Sequence, residues 1–259
     1  MKFRNDLTGR TALVTGGSSG IGEAIARDLA AAGAKVAINC VSHLDAAQKV
    51  AAEIGPDAVA LQADVSDSKA VEAMFQQVDR RWHGLDILIN NAGIDGERAL
   101  AWEADESAWQ KVIAVNLFGA FFCARQALRR MVPQKRGVIV NITSVHEEIA
   151  WSGYSAYCTA KAGEAMLTKT LAQEAAPHGV RVLAVAPGAV KTPINQSVWQ
   201  DPAGLKDLER KIPLGRIGET QDIASAVTFL VSDSASYITA RTIFVDGGMT
   251  DFPDFAHGG

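Results

Sequence analysis

Short runs rich in Val, Ile and Leu alternate along this chain with longer segments of helical period, and that alternation constrains the fold more than any other feature. A strand written almost wholly in apolar residues is buried on both faces, which a sheet covered by helices on both sides provides. The strand candidates are Thr11–Thr15, Lys35–Asn39, Ala58–Gln62, Ile87–Asn90, Gly137–Ile142, Val180–Ala186 and Thr242–Val245. Helical period fills the intervals, as in Ile21–Ala32 and Val71–Trp82, which run into Gly33 and Gly84 as helices run into their C-terminal caps. The expected architecture is therefore α/β, a doubly wound parallel sheet with helices on both faces. No Pro/Gly/Ser-rich linker and no internal repeat interrupts residues 1–259, so a single domain is expected. The rhythm breaks at 187–213, which carries four prolines before helical period resumes at Thr220, and this stretch reads as a substrate lid.

Composition narrows the function classes. The chain is 48% hydrophobic and 21% charged, ordinary for a soluble globular domain. With a formal net charge of −4 and no block of Lys and Arg, it offers little to a nucleic acid. Cys40, Cys123 and Cys158 are widely spaced, which suits reduced thiols and gives no metal-ligand pair. Met1–Gly9 is charged and lacks the apolar core of a leader, and no stretch reaches the roughly 18 uninterrupted apolar residues of a membrane span. The expectation is a cytoplasmic protein with no membrane partner.

The first strand runs directly into Thr15-Gly16-Gly17-Ser18-Ser19-Gly20-Ile21-Gly22 and then a helix. Glycines there allow a tight turn and close approach of the backbone to a pyrophosphate, whose charge a helix N-terminus favours. The same turn also suits a plain strand-to-helix connection; its place after the first strand favours the cofactor reading. Selectivity between NAD and NADP is set at the end of the second strand, by an acidic residue for the ribose hydroxyls or a basic one for a 2′-phosphate. That place reads Asn39-Cys40-Val41-Ser42-His43 and satisfies neither rule, which leaves Asn39 and Ser42 as contacts for either cofactor. Asp64-Val65 after the third strand suits a pair flanking an adenine ring, and Asp64 equally suits a cap before Ser66.

Tyr157 and Lys161 stand four apart within the helical period of Ala156–Ala175, so both lie on one face about a turn apart. A free phenol ionises near ~10, and lowering this to about 7 takes roughly 4 kcal/mol of differential stabilisation, which a lysine and a cationic nicotinamide can largely supply. Tyr157 would then take or return the proton of an alcohol. Ser144, after the fifth strand, would hold the substrate oxygen, and Asn116 would anchor a water chain to the lysine. A Tyr/Lys pair at this spacing also occurs on exposed helices, and Ser144 also suits a strand end. The rival Tyr154 has Cys158, not a cation, at i+4. His146-Glu147 does not open a zinc motif, since the position that would carry the second histidine is Ala150, and no metal is expected.

These elements resemble the short-chain dehydrogenase/reductase family: Thr15-Gly16-x-x-x-Gly20-Ile21-Gly22, Asn90-Asn91-Ala92-Gly93, Asn116, Ser144, Tyr157-x-x-x-Lys161, Pro187-Gly188 and Asp246-Gly247-Gly248, in order and across essentially the whole chain. The resemblance implies a Rossmann-type sheet, NAD or NADP as cofactor, and a catalytic tetrad of Asn116, Ser144, Tyr157 and Lys161. It assigns Gly16, Ser18, Ser19, Gly20, Ile21, Gly22, Asn91, Ala92 and Gly93 to the cofactor, with Asn91 and Gly93 on the adenosine side. Pro187, Gly188, Val190 and Thr192 also bind cofactor, along with Tyr157 and Lys161, and Thr192 holds the nicotinamide carboxamide. A homotetramer is implied, and Ala240 stands where the family usually has glycine.

Within the family the chain is most similar to glucose 1-dehydrogenases, through Ser144-Val145-His146-Glu147, Pro193-Ile194-Asn195, Ile212-Pro213 and Asp246-Gly247-Gly248-Met249-Thr250 leading to Gly258-Gly259. That resemblance places Asp95, His146, Asn195 and the C-terminal glycines around a pyranose. It implies transfer of hydride from C1 of a cyclic aldose to NAD(P)+, giving a lactone. The same tetrad would serve a carbonyl reductase of an acyl-thioester, steroid or small ketone; a regulator that only binds cofactor would have no need of it. Gly96-Glu97-Arg98, Trp151 and Trp199 differ from the glucose enzymes. Arg98, at the sheet edge where ligands of open α/β folds bind, would grip an anionic group on the sugar, with His146 as a second donor and Trp151 and Trp199 as apolar walls.

The missing acidic and basic residues between Asn39 and His43 generate a first prediction. Both cofactors should be accepted, with a ratio of kcat/KM below about a thousandfold, equivalent to about 4 kcal/mol of discrimination. Steady-state kinetics with NAD+ and NADP+ read this ratio, and a larger preference contradicts it.

Overall fold

The computed structural model describes residues 5–193 and 196–251. Seven parallel strands form one sheet: β1 Thr11–Val14, β2 Lys35–Cys40, β3 Ala58–Gln62, β4 Ile87–Asn90, β5 Gly137–Ile142, β6 Val180–Pro187 and β7 Thr242–Val245, in the order β3-β2-β1-β4-β5-β6-β7. The strands joined through helices are all parallel, as the apolar runs require. Helices α1 Gly20–Ala31, α2 Leu44–Ile54 and α9 Thr220–Val231 cover one face, where Ile25, Leu29, Val50, Ile223 and Val227 meet Val14, Ile38 and Ile89. On the other face α3 Ser68–Trp82, α5 Gly119–Gln134 and α6 Ser155–Ala175 set Met74, Phe75, Met131 and Leu171 on Leu13, Leu88 and Ile139. Each fully buried side chain of this size stabilises the fold by about 1.5–3 kcal/mol. This is the Rossmann-type single domain that the alternation implies.

The order reverses between β1 and β4, and there the connections leave the carboxyl ends of neighbouring strands in opposite directions. The glycine turn and the Asn90–Gly93 turn both open into that crevice. On the far side of β4, α4 Glu106–Ile113 passes into one π turn, Ala114–Phe118, and continues as α5. Such a turn widens the helix by one residue and re-aims its side chains. The combined helix Glu106–Gln134 is, by length and composition, long and apolar enough to cross a membrane, with half of its most apolar stretch buried in the domain. Val112, Ala120, Cys123, Ala127 and Met131 turn that apolar side into the core.

Two local expectations are corrected. The left-handed cap of α3 is His83, at φ 60°, one residue before Gly84. The stretch 187–213 carries two short helices, α7 Gln196–Trp199 and α8 Pro202–Glu209, the second capped by Asp201 through bonds from Ala203 and Gly204. The three cysteines are free, and burial pushes the Cys123 thiol up to about 12.

Ala240 adopts φ 59°, a left-handed conformation that costs an L-residue about 1–2 kcal/mol. Its N–H donates to Val182 O at 2.8 Å, which holds it there. Glycine relieves the strain but orders a freer chain, an opposing cost of about 0.5–1 kcal/mol. Ala240→Gly should therefore raise the melting temperature by about 1–3 °C. A lower melting temperature would mean that the packing of the Ala240 methyl outweighs the strain.

Candidate active site

The cofactor cradle is built by lacing two loops together. Thr15 Oγ1 accepts from the N–H groups of Asn91 and Ala92, at 2.9 and 3.0 Å. The Asn91 amide returns two bonds, to Thr15 O and Gly16 O, both 3.0 Å. The glycines are required by this closeness: a Cβ at Gly22 would lie 2.3 Å from Gly16 O, and one at Gly16, where φ is +61°, 2.9 Å from the Ala92 Cα. Ser19 caps α1 without any side-chain bond, which leaves first-turn N–H groups directed at an anion. Ser18, Gly20 and Ile21 complete the turn, and a Cβ at Gly20 would reach Thr192 and Pro193 at 3.7 Å, so the start of the 187–213 stretch folds over it. Trp199 Nε1 donates to Thr192 O at 3.1 Å and holds that fold. Gly188 N donates to Val245 O at 3.2 Å, a Cβ at Gly188 would strike Asp246 at 2.8 Å, and Val190 is buried beside Gly218. The residues present thus fit a dinucleotide pyrophosphate.

The Asn39 side chain is engaged differently from the expectation. Its amide donates to the carbonyls of Cys40, Leu61 and Ala63 at 3.3, 3.4 and 3.0 Å, and its Oδ1 accepts from Gly16 N at 3.4 Å. It ties β2, β3 and the glycine turn together, and of the expected pair the exposed Ser42 keeps its hydroxyl toward solvent. Asp64 accepts from the N–H and hydroxyl of Ser66 at 2.8 and 2.7 Å, the local turn weighed as the alternative to an adenine contact, while Val65 is buried with its side chain against Gly119.

The tetrad residues converge. Ser144 follows β5, its hydroxyl accepts from His146 N at 3.2 Å, and its pull lowers the Tyr157 phenol. Lys161 is 4% exposed; its Nζ donates to Ile142 O at 2.7 Å and to Glu164 Oε2 at 2.9 Å, and lies 5.9 Å from the centre of the Tyr157 ring. Asn116 sits in the π turn, donating to Ile94 O and Val112 O at 2.8 and 2.9 Å and accepting from Ile94 N at 3.1 Å. These bonds fasten the loop after β4 to the widened helix. Gly93 stands between Asn116 and Lys161: a Cβ there would lie 2.5 Å from Asn116 Oδ1 and 3.8 Å from Lys161 Nζ.

Burial works against the lysine's pull on Tyr157. Burial raises the phenol above its ordinary value, and the opposing pull of Lys161 and Ser144 does not overcome burial together with the carboxyls of Asp95 and Glu164. For Lys161, burial alone would lower the ammonium, but Glu164 foremost, with Tyr157 and Asp95, leaves it raised and charged. Sequence reasoning missed Glu164, which is 1% exposed and whose carboxyl burial pushes up to about 7. The signal was present as an acidic residue at i+3 from Lys161 on the same helix face.

On the substrate side, burial raises Asp95 against the pull of Lys161 and His146, whose charges both reach it. His146 Nδ1 lies 2.9 Å from Ile149 O and must donate to it, and burial lowers the imidazole, so in the neutral ring Nε2 is an acceptor. The second donor expected there for an anion is therefore absent. Trp151 stacks on His146 at 4.5 Å and on Tyr154 at 3.8 Å between ring centres. Both His146 and Trp151 stand edgewise to Tyr157 at 6.2 Å. Arg98 is exposed and packs along Gly153, where a Cβ would meet its Cγ at 2.7 Å. Asn195 and the C-terminal glycines lie outside the described residues. Among the described residues no cluster of His, Cys, Asp and Glu could hold a metal ion.

The chain has known relatives over almost its whole length. Residues 16–250 match the family described as Enoyl-(Acyl carrier protein) reductase. The chain is 45% identical to 3beta-hydroxysteroid dehydrogenase 1 of Eggerthella lenta, with 98% of each chain covered. It is 39% identical to Glucose 1-dehydrogenase 2 of Bacillus subtilis, covering 96% of this chain and 97% of that one. The crystal structure of gox2181 superposes with a TM-score of 0.92 at 34% identity, covering 96% of this chain and 98% of the other.

The contact between Gly93, Asn116 and Lys161 generates a prediction. A methyl at position 93 forces Asn116 and Lys161 apart by an ångström or so, enough to cost on the order of a hundredfold in rate. Gly93→Ala should lose about that much turnover and still melt cooperatively. Turnover within threefold of the wild type would contradict the arrangement.

Proposed function

Because the chain belongs to the short-chain dehydrogenase/reductase family, we propose that its site oxidises the C1 hydroxyl of a cyclic aldose to a lactone. The enzyme is an oxidoreductase that uses NAD or NADP. The observation that carries the sugar reading is the polarity of the pocket beside Tyr157. Its nearest polar side chains, the His146 ring and the Asp95 carboxyl, offer acceptors, and hydroxyl groups are the donors that match them. An aldose presents several such hydroxyls around one ring.

In this reading Ser144 orients the substrate oxygen and Tyr157 removes its proton as the C1–H bond breaks. The nicotinamide cofactor, when bound, takes up the hydride and brings a positive charge to the site. Lys161 stabilises the resulting phenolate, and Asn116 holds the loop of Gly93 and Ile94 against the lysine. The stretch 187–213 serves as a lid, hinged near Thr192 and excluding water once closed. Between α5 and α6 a groove of about 420 Å³ is lined by Phe121, Leu128, Val132 and Leu171 with Arg125, Arg129 and Glu174 beside them, and with the exposed Met166 on α6 it suits the helix contacts of a homotetramer.

A second reading is favoured by one relative: 45% identity to a 3beta-hydroxysteroid dehydrogenase, together with the aromatic edges of Trp151 and His146 beside Tyr157, suits a steroid alcohol. Initial rates on glucose, on glucose derivatives with an acidic group at C6, and on a 3β-hydroxysteroid separate the readings. An aldose should exceed the steroid in kcat/KM by at least about tenfold, roughly 1.4 kcal/mol of transition-state preference. The reverse order overturns the sugar reading in favour of the steroid. A selective loss on the acidic sugars in Arg98→Ala would add an anionic group to the substrate, and equal loss on all sugars would remove it. Tyr157→Phe should be inactive with cofactor binding kept within a few-fold, while Tyr154→Phe should be mild; a tenth of normal turnover in Tyr157→Phe would overturn the acid/base role.

A further inference from the structure

We propose that Glu164 is the positioning residue behind the tetrad, its buried carboxylate fixing the Lys161 ammonium and, through its own charge, setting where Tyr157 ionises. The inference rests on the reading of Tyr157 as acid/base. The geometry is specific. Glu164 follows Lys161 by one turn of α6, the two side chains are 2% and 5% exposed, and Oε2 stands 2.9 Å from Nζ. Ile142 O, from the end of β5, takes a second N–H of the ammonium at 2.7 Å. An ammonium has three N–H groups, so these two bonds fix its orientation and leave one directed elsewhere. The Tyr157 ring and Gly93 border the same amine.

The surroundings make the carboxylate's charge consequential. The charged groups that reach Glu164 are Lys161 on its own helix and Glu147 from the short helical turn Val145–Glu147 that packs on α6. Glu147 in turn faces Thr143, Thr242, Glu148 and Lys169, and among the described residues its Oε2 and the Thr242 Oγ1 complete no hydrogen bond. Lys161 is reached by Glu164, Tyr157 and Asp95; Tyr157 by Lys161, Asp95 and Glu164. Burial leaves the Glu164 carboxyl titrating near about 7, inside the working range of most enzymes. The signs follow from Coulomb's law. An ionised Glu164 keeps the proton on Tyr157 and on Lys161; a neutral one lets both lose it at lower pH.

Glu164→Gln retains the shape and an oxygen acceptor for the ammonium while removing the charge. The pH profile of kcat/KM should be measured with NAD+ and whichever of glucose or the 3β-hydroxysteroid the wild type oxidises. Both limbs should move to lower pH by about one pH unit, the size of shift a single charge at this range produces. Glu164→Asp, which withdraws the carboxylate by one methylene, should move both limbs the same way by less, and it decides the matter if the Gln variant does not fold. Limbs that stay in place in both variants overturn the proposal, whatever happens to stability. Tyr157→Phe run alongside separates the two ideas: turnover in that variant removes the acid/base reading itself, whereas an inactive Tyr157→Phe with unmoved limbs removes only the role of Glu164.

Discussion

The site depends on the double anchoring of one ammonium. Lys161 Nζ is held by Ile142 O at the end of β5 and by Glu164 on its own helix, inside the protein, where breaking a buried ion pair costs about 3–5 kcal/mol. Those two bonds join sheet to helix at the height where Tyr157 must stand. A chain of amides and hydroxyls continues the joint through the core. Asn90 donates to Asn141 Oδ1 at 2.8 Å, Asn141 to Thr168 Oγ1 at 2.8 Å, and Thr168 to Glu164 O at 2.9 Å. β4, β5 and α6 are thereby fixed in relative register by a chain of side-chain bonds, with Asn90 Oδ1 left without a partner among the described residues, and rigidity of this kind is what a catalytic geometry requires.

The second constraint is closeness of backbone at the switch point of the sheet. Thr15, Asn91, Gly16 and Gly22 bring the turns after β1 and β4 so near that a single methyl would separate them. The same turns expose amide groups to a pyrophosphate and hold Gly93 against Asn116 and Lys161. Cofactor binding and proton transfer therefore share one scaffold. The buried setting has a cost: burial first, then the carboxyls of Asp95 and Glu164, raises the phenol of Tyr157, and positive charge close to it lowers it.

Much of this was legible in the sequence. The strands fall within a residue of where the apolar runs place them, because a strand buried on both faces has little freedom in composition. The tetrad was legible because four chemistries had to recur in order. Orientation was not. Asn39 stands where a cofactor contact was expected and turns inward to three carbonyls, and His146, expected as a second donor for an anion, spends Nδ1 on Ile149 O. Trp151, expected as an apolar wall, stacks on His146 and Tyr154. The net direction of the Tyr157 shift depends on the depth of burial and on two carboxyls distant in sequence or overlooked at i+3, neither of which a spacing rule contains.

Burial and the carboxyls around Lys161 favour the protonated form of Tyr157. Ultraviolet difference titration of tyrosinate, wild type minus Tyr157→Phe, measures this directly, since the other two tyrosines, Tyr154 and Tyr237, cancel. The account predicts that the cofactor-free phenol ionises above the ordinary value of about 10 and moves down when NAD+ is added. A cofactor-free phenol that already ionises below that value would contradict it.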